Sequence, residues 1–194
     1  MLKWDSENLK GQWIQLEPLH ESHQEELYDA AQNELIWTYN SSSAYQDQFQ
    51  KWFDAALHKS KTNEHIPFVV RCLRDKKMVG STRFYDIDFN HGRLAIGYTW
   101  TIPEVWGTSV NPECKLLLLK MAFEMLKVNR VEFYTDSRNT RSRAAILKLG
   151  ATEEGLLRSH MVLKDGYLRN TIVFSILKTE WINIKAVLEK RINN

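Results

Sequence analysis

The chain has 194 residues and a mass of 22.8 kDa, 43% of it hydrophobic and 26% charged, which suits one compact domain over residues 1–194 and excludes a disordered, collagenous or repeat architecture. Its 26 basic and 24 acidic side chains leave a formal charge of +2, so no global field advertises nucleic acid or a strongly charged macromolecule as partner. The function must come from a local site.

Trp13, Ile14 and Leu16 ahead of Pro18 predict a short first strand, and residues 21–32 place Leu27, Tyr28, Ala30 and Ala31 in a helical pattern. A second helix is expected over residues 44–58, where Phe49, Trp52, Phe53, Ala56 and Leu57 recur at three- and four-residue spacings. The polar link at residues 40–43, preceded by Trp37 and Tyr39, is either a pocket wall or a surface connection. Residues 68–73 and 78–85 read as an antiparallel hairpin around the charged turn at residues 74–77. Residues 93–101 alternate most clearly. Leu94, Ile96, Tyr98 and Trp100 are expected on one face, and the small or polar Ala95, Gly97, Thr99 and Thr101 on the other, leaving room for a ligand against the strand.

After Asn111 comes a helix whose charged positions beyond its first turn are Lys120, Glu124 and Lys127, so its remaining faces must be covered. A strand over residues 130–135 follows, which makes residues 93–135 a parallel crossover unit. Residues 140–149 predict a helix stopped by Gly150. Residues 153–163 and 168–177 predict a hairpin turning at Lys164, Asp165 and Gly166, and residues 179–190 a last amphipathic helix. Cys72 and Cys114 sit in apolar stretches and read as reduced, buried thiols, which favours a cytoplasmic setting. Residues 1–11 carry charges and no apolar run, so no signal peptide or lipid anchor is read. The run Leu116, Leu117, Leu118 and Leu119 is far too short for a membrane span.

The loop at residues 103–112 joins the half-open strand to the start of the long helix, where unpaired N–H groups and the positive helix end meet. Pro112 suits a first helical turn, and Glu113 is the acid expected beside a positive terminus. Gly107 with the small Thr108 and Ser109 would let an oxyanion approach the main chain. No Lys or Arg lies between Arg93 and Lys115, so a phosphate here would be held chiefly by main-chain dipoles. A Gly-Lys-Ser/Thr phosphate loop is absent, and one glycine is fewer than a dinucleotide fold requires, although Asp136 after the next strand is the acid such a fold would use.

The combination resembles the GCN5-related N-acetyltransferases, in particular the RimJ/RimL-like branch that acetylates ribosomal-protein N-termini and related amines. It is carried by Ile96-Gly97-Tyr98, by Glu104-Val105-Trp106-Gly107-Thr108-Ser109 in the place of the family's glycine loop, and by Asn139-Thr140-Arg141-Ser142. Leu149-Gly150, Glu154-Gly155 and Asp165-Gly166 complete it. The resemblance implies the acyl-CoA N-acyltransferase fold: an α/β architecture whose mixed, mostly antiparallel sheet has two splayed central parallel strands and flanking helices. It also implies acetyl-CoA as co-substrate. The pyrophosphate would lie on Trp106, Gly107, Thr108, Ser109, Val110 and Asn111, and the pantetheine beside Tyr98, Thr99, Trp100 and Thr101. Asn139 would order the cofactor and Ser142 would lie near the sulfur. The acceptor would be the primary amine of a small molecule, peptide or protein N-terminus, and family members occur as monomers and homodimers. The sequence departs from the family at Glu104 and Ser109 in the loop, at Ala95 before Ile-Gly-Tyr, and at Met161, where ribosomal-protein members place a candidate catalytic glutamate.

Ser142 and His160 are the candidate catalytic residues, Ser142 as donor to the leaving sulfur or as an orienting group and His160 as a base, an imidazole being the side-chain type suited to that role. Each has a plainer reading: Asn139 and Ser142 suit a helix cap, and His160 a surface or core strand position. His20 and His23 suit capping rather than metal binding, so no metal site is expected. Arg138, Arg141, Arg143 and Lys148 form a basic cluster that would either meet the cofactor's 3′-phosphate or stay solvated. Trp37, Tyr39 and Tyr85 are candidate acceptor-pocket residues, and Trp106 is expected to pack against the long helix. A catalytically silent acyl-CoA-binding module is the alternative function, and dinucleotide-dependent reduction a third.

Overall fold

The computed structural model describes residues 9–163 and 165–193. Seven strands form one sheet: β1 Ile14–Pro18, β2 Ile66–Cys72, β3 Met78–Asp88, β4 Arg93–Thr101, β5 Arg130–Asp136, β6 Thr152–Val162 and β7 Leu168–Leu177, in the order β1-β2-β3-β4-β5-β7-β6. Every neighbouring pair is antiparallel except β4 and β5. The helices are α1 Gln24–Ala30, α2 Gln48–Lys61, α3 Val110–Lys120, α4 Thr140–Leu147 and α5 Trp181–Asn193. This is the expected mixed α/β architecture.

Two hydrophobic clusters mark the two faces of the sheet. On one, Leu94, Ile96, Val131, Phe133, Ile172 and Phe174 pack with the leucines of α3 and with Leu188 and Ile192 of α5. On the other, Trp100 and Val69 pack with Leu27 of α1 and with Phe49, Trp52 and Phe53 of α2. Leu116 through Leu119 are all buried, each contributing about 2 kcal/mol of transfer free energy. The charged stripe on the long helix is covered by α5: Trp181 Nε1 and Lys185 Nζ donate to Glu124 at 2.9 and 2.8 Å, and Lys120 pairs with Glu189 at 2.8 Å. That helix widens into a π turn at Met121–Met125, which the apolar pattern does not reveal.

Several expected boundaries shift for local reasons. A 3-10 turn, Glu21–His23, opens the first helical segment: His20 caps it by accepting from the Ser22 N–H at 3.2 Å, and α1 then ends at Ala30. The second helix starts at Gln48 rather than near Ala44, because Gln46 takes a left-handed backbone (φ 50°) that interrupts the helical path. The last helix begins after the turn in which the Leu177 N–H donates to Glu180 Oε2, and runs on to Asn193. Gly150 (φ +94°) follows α4 as predicted. Lys164 of the predicted hairpin turn lies outside the described residues.

Glu113 has a different role from the one expected. Its buried carboxylate accepts the N–H groups of Gln12, Trp13 and Ile14 at 2.7, 2.7 and 2.8 Å, tying the start of β1 to α3. Gly11 is obligatory beside it, since a Cβ there would collide with the Glu113 carboxyl group.

The expected single face of β4 is also corrected. Gly97 pairs with Arg83 and Trp100 with Ser81, so Tyr98 and Thr99 together oppose Thr82, and Tyr98 takes φ 51°. This bulge reverses the alternation. Leu94 and Ile96 enter the α3-side core, Trp100 enters the α2-side core, and Thr99 turns toward α3. Ala95, Gly97 and Thr99 therefore do not form one continuous small face.

Candidate functional site

β4 and β5 pair only from Arg93 to Ala95 and from Arg130 to Glu132. Beyond Ala95 the β5-facing edge of β4 has no ladder partner, and a cleft of about 640 Å³ opens between the strands. The divergence at the C-terminal ends is the one the family resemblance implies.

The loop at the mouth of this cleft begins with a 3-10 turn, Pro103–Val105. Gly107 follows with φ +76°, and no atom lies within 4 Å of where its Cβ would be, so its backbone faces open space. Thr108 folds back: its hydroxyl donates to the Val105 carbonyl at 2.7 Å and accepts the Val110 N–H at 3.3 Å. The N–H groups of Gly107, Ser109 and Asn111 have no partner among the described residues and gather at the start of α3. Of the residues predicted to hold a cofactor, Tyr98, Thr99, Trp100, Thr101, Trp106, Gly107, Asn111, Asn139 and Ser142 line the cleft. Thr108 and Ser109 shape the loop beside it, and the Val110 side chain is buried in the α3-side core.

Two cations stand close by, Arg141 of the expected basic cluster and Lys115, which the sequence reading did not single out. The Arg141 guanidinium lies 3.5 Å from the Trp106 ring, so an arginine from α4 reaches a loop that has none of its own. Trp106 does not pack on α3 as expected. Its Nε1 donates to the Thr101 carbonyl at 2.9 Å and its ring rests on the α2-side cluster, because the indole spans the strand end rather than the helix. Lys115 on α3 is buried, with Nζ donating to Thr99 Oγ1 at 2.6 Å, and burial lowers its pKa. The bulge supplies this partner by turning Thr99 toward α3.

Asn139 caps α4, its Oδ1 accepting the Ser142 N–H at 2.9 Å. The Ser142 hydroxyl keeps a place on the cleft wall. His160 and Met161 stand on the same wall, after a left-handed residue, Ser159 (φ 48°), whose N–H is held by Asn170 Oδ1 at 2.7 Å. Strand periodicity could not orient His160 because this irregularity in β6 resets the alternation. Tyr167 is stacked under Arg138 at 3.6 Å, outside the cleft lining. The basic cluster is split: Arg138 binds Asp136, Arg143 reaches the Ser137 carbonyl and Glu153, and only Arg141 of the four lines the cleft.

On the α2 side the cleft is aromatic. Trp37, Tyr39 and Tyr85 line it as anticipated, joined by Trp52 and Tyr98. Behind them the buried Arg83 lies 4.3 Å from the Tyr98 ring centroid and 5.3 Å from that of Trp52, with Nη1 3.3 Å from His65 Nδ1. Desolvation pushes Arg83 down to about 10, still charged at neutral pH. Desolvation and the neighbouring guanidinium push His65 down to about 4, so it is neutral and Nδ1 accepts. Sequence reading missed this pair because Arg83 and His65 meet only through the register of β2 and β3. Among the described residues no cluster of His, Cys, Asp and Glu could hold a metal, no helix is long and apolar enough to cross a membrane, and Cys72 and Cys114 are buried and free.

Comparison with known proteins agrees with this geometry. The chain is 30% identical over 124 residues, 64% of its own length and 68% of the relative's, to the uncharacterized N-acetyltransferase YoaA of Bacillus subtilis. Two other relatives are matched over 58% of their own length. A GCN5-related N-acetyltransferase from Brucella melitensis superposes with a TM-score of 0.86 at 29% identity, covering 94% of this chain and 83% of the other. Mycobacterium smegmatis RimJ, solved with CoA-disulfide, shares the fold with a TM-score of 0.79 at 18% identity, over 92% and 88% of the two chains. The family described as the acetyltransferase (GNAT) domain matches residues 14–152, more than half of the sequence, and this chain belongs to it.

Proposed function

We propose that this chain moves an acetyl group from acetyl-CoA to a primary amine by direct attack within a ternary complex. The observation that carries the reading is the parting of β4 and β5 after Ala95, with three partnerless amides of the Gly107 loop at the mouth of the opening. The amides of Gly107, Ser109 and Asn111 suit a diphosphate, Arg141 adds a cation, and the unpaired edge of β4 suits the amide-bearing pantetheine arm. Bound there, acetyl-CoA supplies an activated thioester.

The chain's own residues would then orient and move protons. A protonated primary amine with a pKa of roughly 8 to 10 must lose a proton before it attacks. His160 on the cleft wall is the candidate acceptor of that proton, and the Ser142 hydroxyl the candidate donor to the departing sulfur. The amine nitrogen bonds to the carbonyl carbon, the carbon–sulfur bond breaks, and the thiolate takes a proton, giving an acetamide and free CoA. His65 is poorly suited to be the base: it titrates near 4, and with Nδ1 facing Arg83 its Nε2 carries the hydrogen. It serves instead to hold Arg83 and Tyr98.

Calorimetry with acetyl-CoA tests the binding premise, and thiol release across a panel of amines tests turnover. Micromolar binding with turnover is expected. Binding without turnover on any amine would favour a silent acyl-CoA module, consistent with Met161 on the cleft wall. Binding of NAD or NADP in place of acetyl-CoA and CoA would overturn both readings.

A further inference from the structure

The acceptor side of the cleft holds a buried cation with no hydrogen-bonded or ion-paired partner among the described residues. Arg169 of β7 is 6% exposed and lines the cavity, yet its guanidinium makes no hydrogen bond or ion pair with any described residue, and its Nε is fully buried. Asp136 acts on it electrostatically, but that carboxylate is engaged by Arg138 through Nη2 at 2.8 Å, Nε at 3.1 Å and the backbone N–H at 2.9 Å. Two residues along the same strand, and therefore on the same face, Thr171 also lines the cavity with a buried hydroxyl that lacks a partner. The Nε and the Thr171 hydroxyl are buried without a partner, while the terminal nitrogens of Arg169 open onto the cavity. Donors side by side on a cavity wall suit an oxyanion entering the cleft. Burial lowers the pKa of Arg169, in keeping with a charge that lacks its counter-ion.

The anion belongs to the acceptor side rather than the cofactor loop. Ile172 and Phe174 of β7 enter the α3-side core, so Arg169 and Thr171 face the other way, toward Tyr85 and away from the face on which α3 begins. Leu157 and Met161 of β6, register partners of Thr171 and Arg169, flank the pair with apolar side chains. Away from the loop and from α3, the charged residues lining the cleft are Lys59 and Arg169 with Asp86 and the already paired Asp136, so Arg169 is a cation free to meet a substrate anion.

We propose that the acceptor is a small amine that also bears a carboxylate, and that Arg169, with Thr171, grips this carboxylate so that the amine points at the thioester. The inference rests on the acetyl-transfer reading of the cleft and narrows it to a substrate class. The guanidinium fork matches a planar carboxylate in two parallel hydrogen bonds, and the threonine hydroxyl adds a third donor.

The test uses the full chain saturated with acetyl-CoA. Thiol release is measured for the common α-amino acids, for the matching amino-acid amides, and for spermidine as a carboxylate-free amine. At least one free acid should exceed its amide by tenfold or more in kcat/KM. Arg169→Gln should erase that preference mainly through KM while leaving the CoA dissociation constant unchanged, and Arg169→Lys should recover part of it. Thermal melting of both variants identifies loss of fold, and Arg169→Lys carries the test if Arg169→Gln does not fold. Calorimetric titration of the CoA complex with each acid and amide reads binding even where turnover is slow. Amides or spermidine equal to the acids, no heat from any acid, or a tenfold weaker hold on CoA in Arg169→Gln would each overturn the proposal. Failure of CoA to bind the native chain would instead remove the acetyl-transfer reading beneath it.

Discussion

The first turn of α3 stands between two clusters of three backbone N–H groups that end differently. Those of Gln12, Trp13 and Ile14 converge on the Glu113 carboxylate and are satisfied from within the chain. Those of Gly107, Ser109 and Asn111 converge on nothing the chain provides. The same chemistry is a structural tie where an internal anion fills it and a candidate ligand site where none does. A sequence pattern rich in small residues before a helix does not separate the two cases; the presence or absence of an internal carboxylate does.

The largest expected effect is on the filled cluster. Glu113→Ala would leave three donors, one buried and two part-buried, without an acceptor and should lower unfolding free energy by about 4 kcal/mol, read by chemical denaturation. An unchanged denaturation midpoint would mean that the tie contributes nothing and would break the contrast. On the open cluster, Gly107→Val forces a β-branched residue into φ +76° and fills the approach to the amides. It should weaken acetyl-CoA binding at least tenfold in calorimetry, about 1.4 kcal/mol, while the protein stays folded. Undiminished affinity in a folded Gly107→Val variant would remove the loop from the binding site. Arg141→Ala should sharpen the division between main-chain and side-chain contributions, raising the CoA dissociation constant roughly threefold by removing one exposed cation.

A different kind of effect, a pH dependence, concerns the side-chain-built half. His65 has a folded pKa depressed to about 4, so its neutral burial favours the native state above the ordinary histidine value and loses that advantage as pH falls from about 6.5 toward 4. The native chain should therefore lose several degrees of melting temperature between pH 7 and pH 5, and His65→Asn should lose less over the same interval. Equal losses in both would show that protonation of this imidazole is not what acid exploits.

The loop side of the cleft was largely legible because its signals are local. A glycine in a short loop, a proline in the first helical turn and a strand ending just before them all lie within about twenty residues of each other, and β4 and β7 run over the residues their alternation predicts. The aromatic half was not. Arg83 and Arg169 come from two different strands and His65 from the turn just before a third, and nothing in the sequence around them points to their meeting at one cleft. Lys115 was hidden for a related reason: its threonine partner faces α3 only because the bulge at Tyr98 breaks the alternation.

From sequence alone came the order of elements, the parallel crossover, the loop at Gly107 and the family resemblance, since periodicity, turn chemistry and helix-end preferences act over a few residues at a time. The tertiary structure alone decided which face Thr99 and Trp100 occupy, that Glu113 ties down β1, that Arg141 reaches Trp106, and that Arg169 stands unpaired. Each of these depends on strand register and on the position of a charge relative to groups far away in the chain, where electrostatics and desolvation follow distance through space rather than along the sequence.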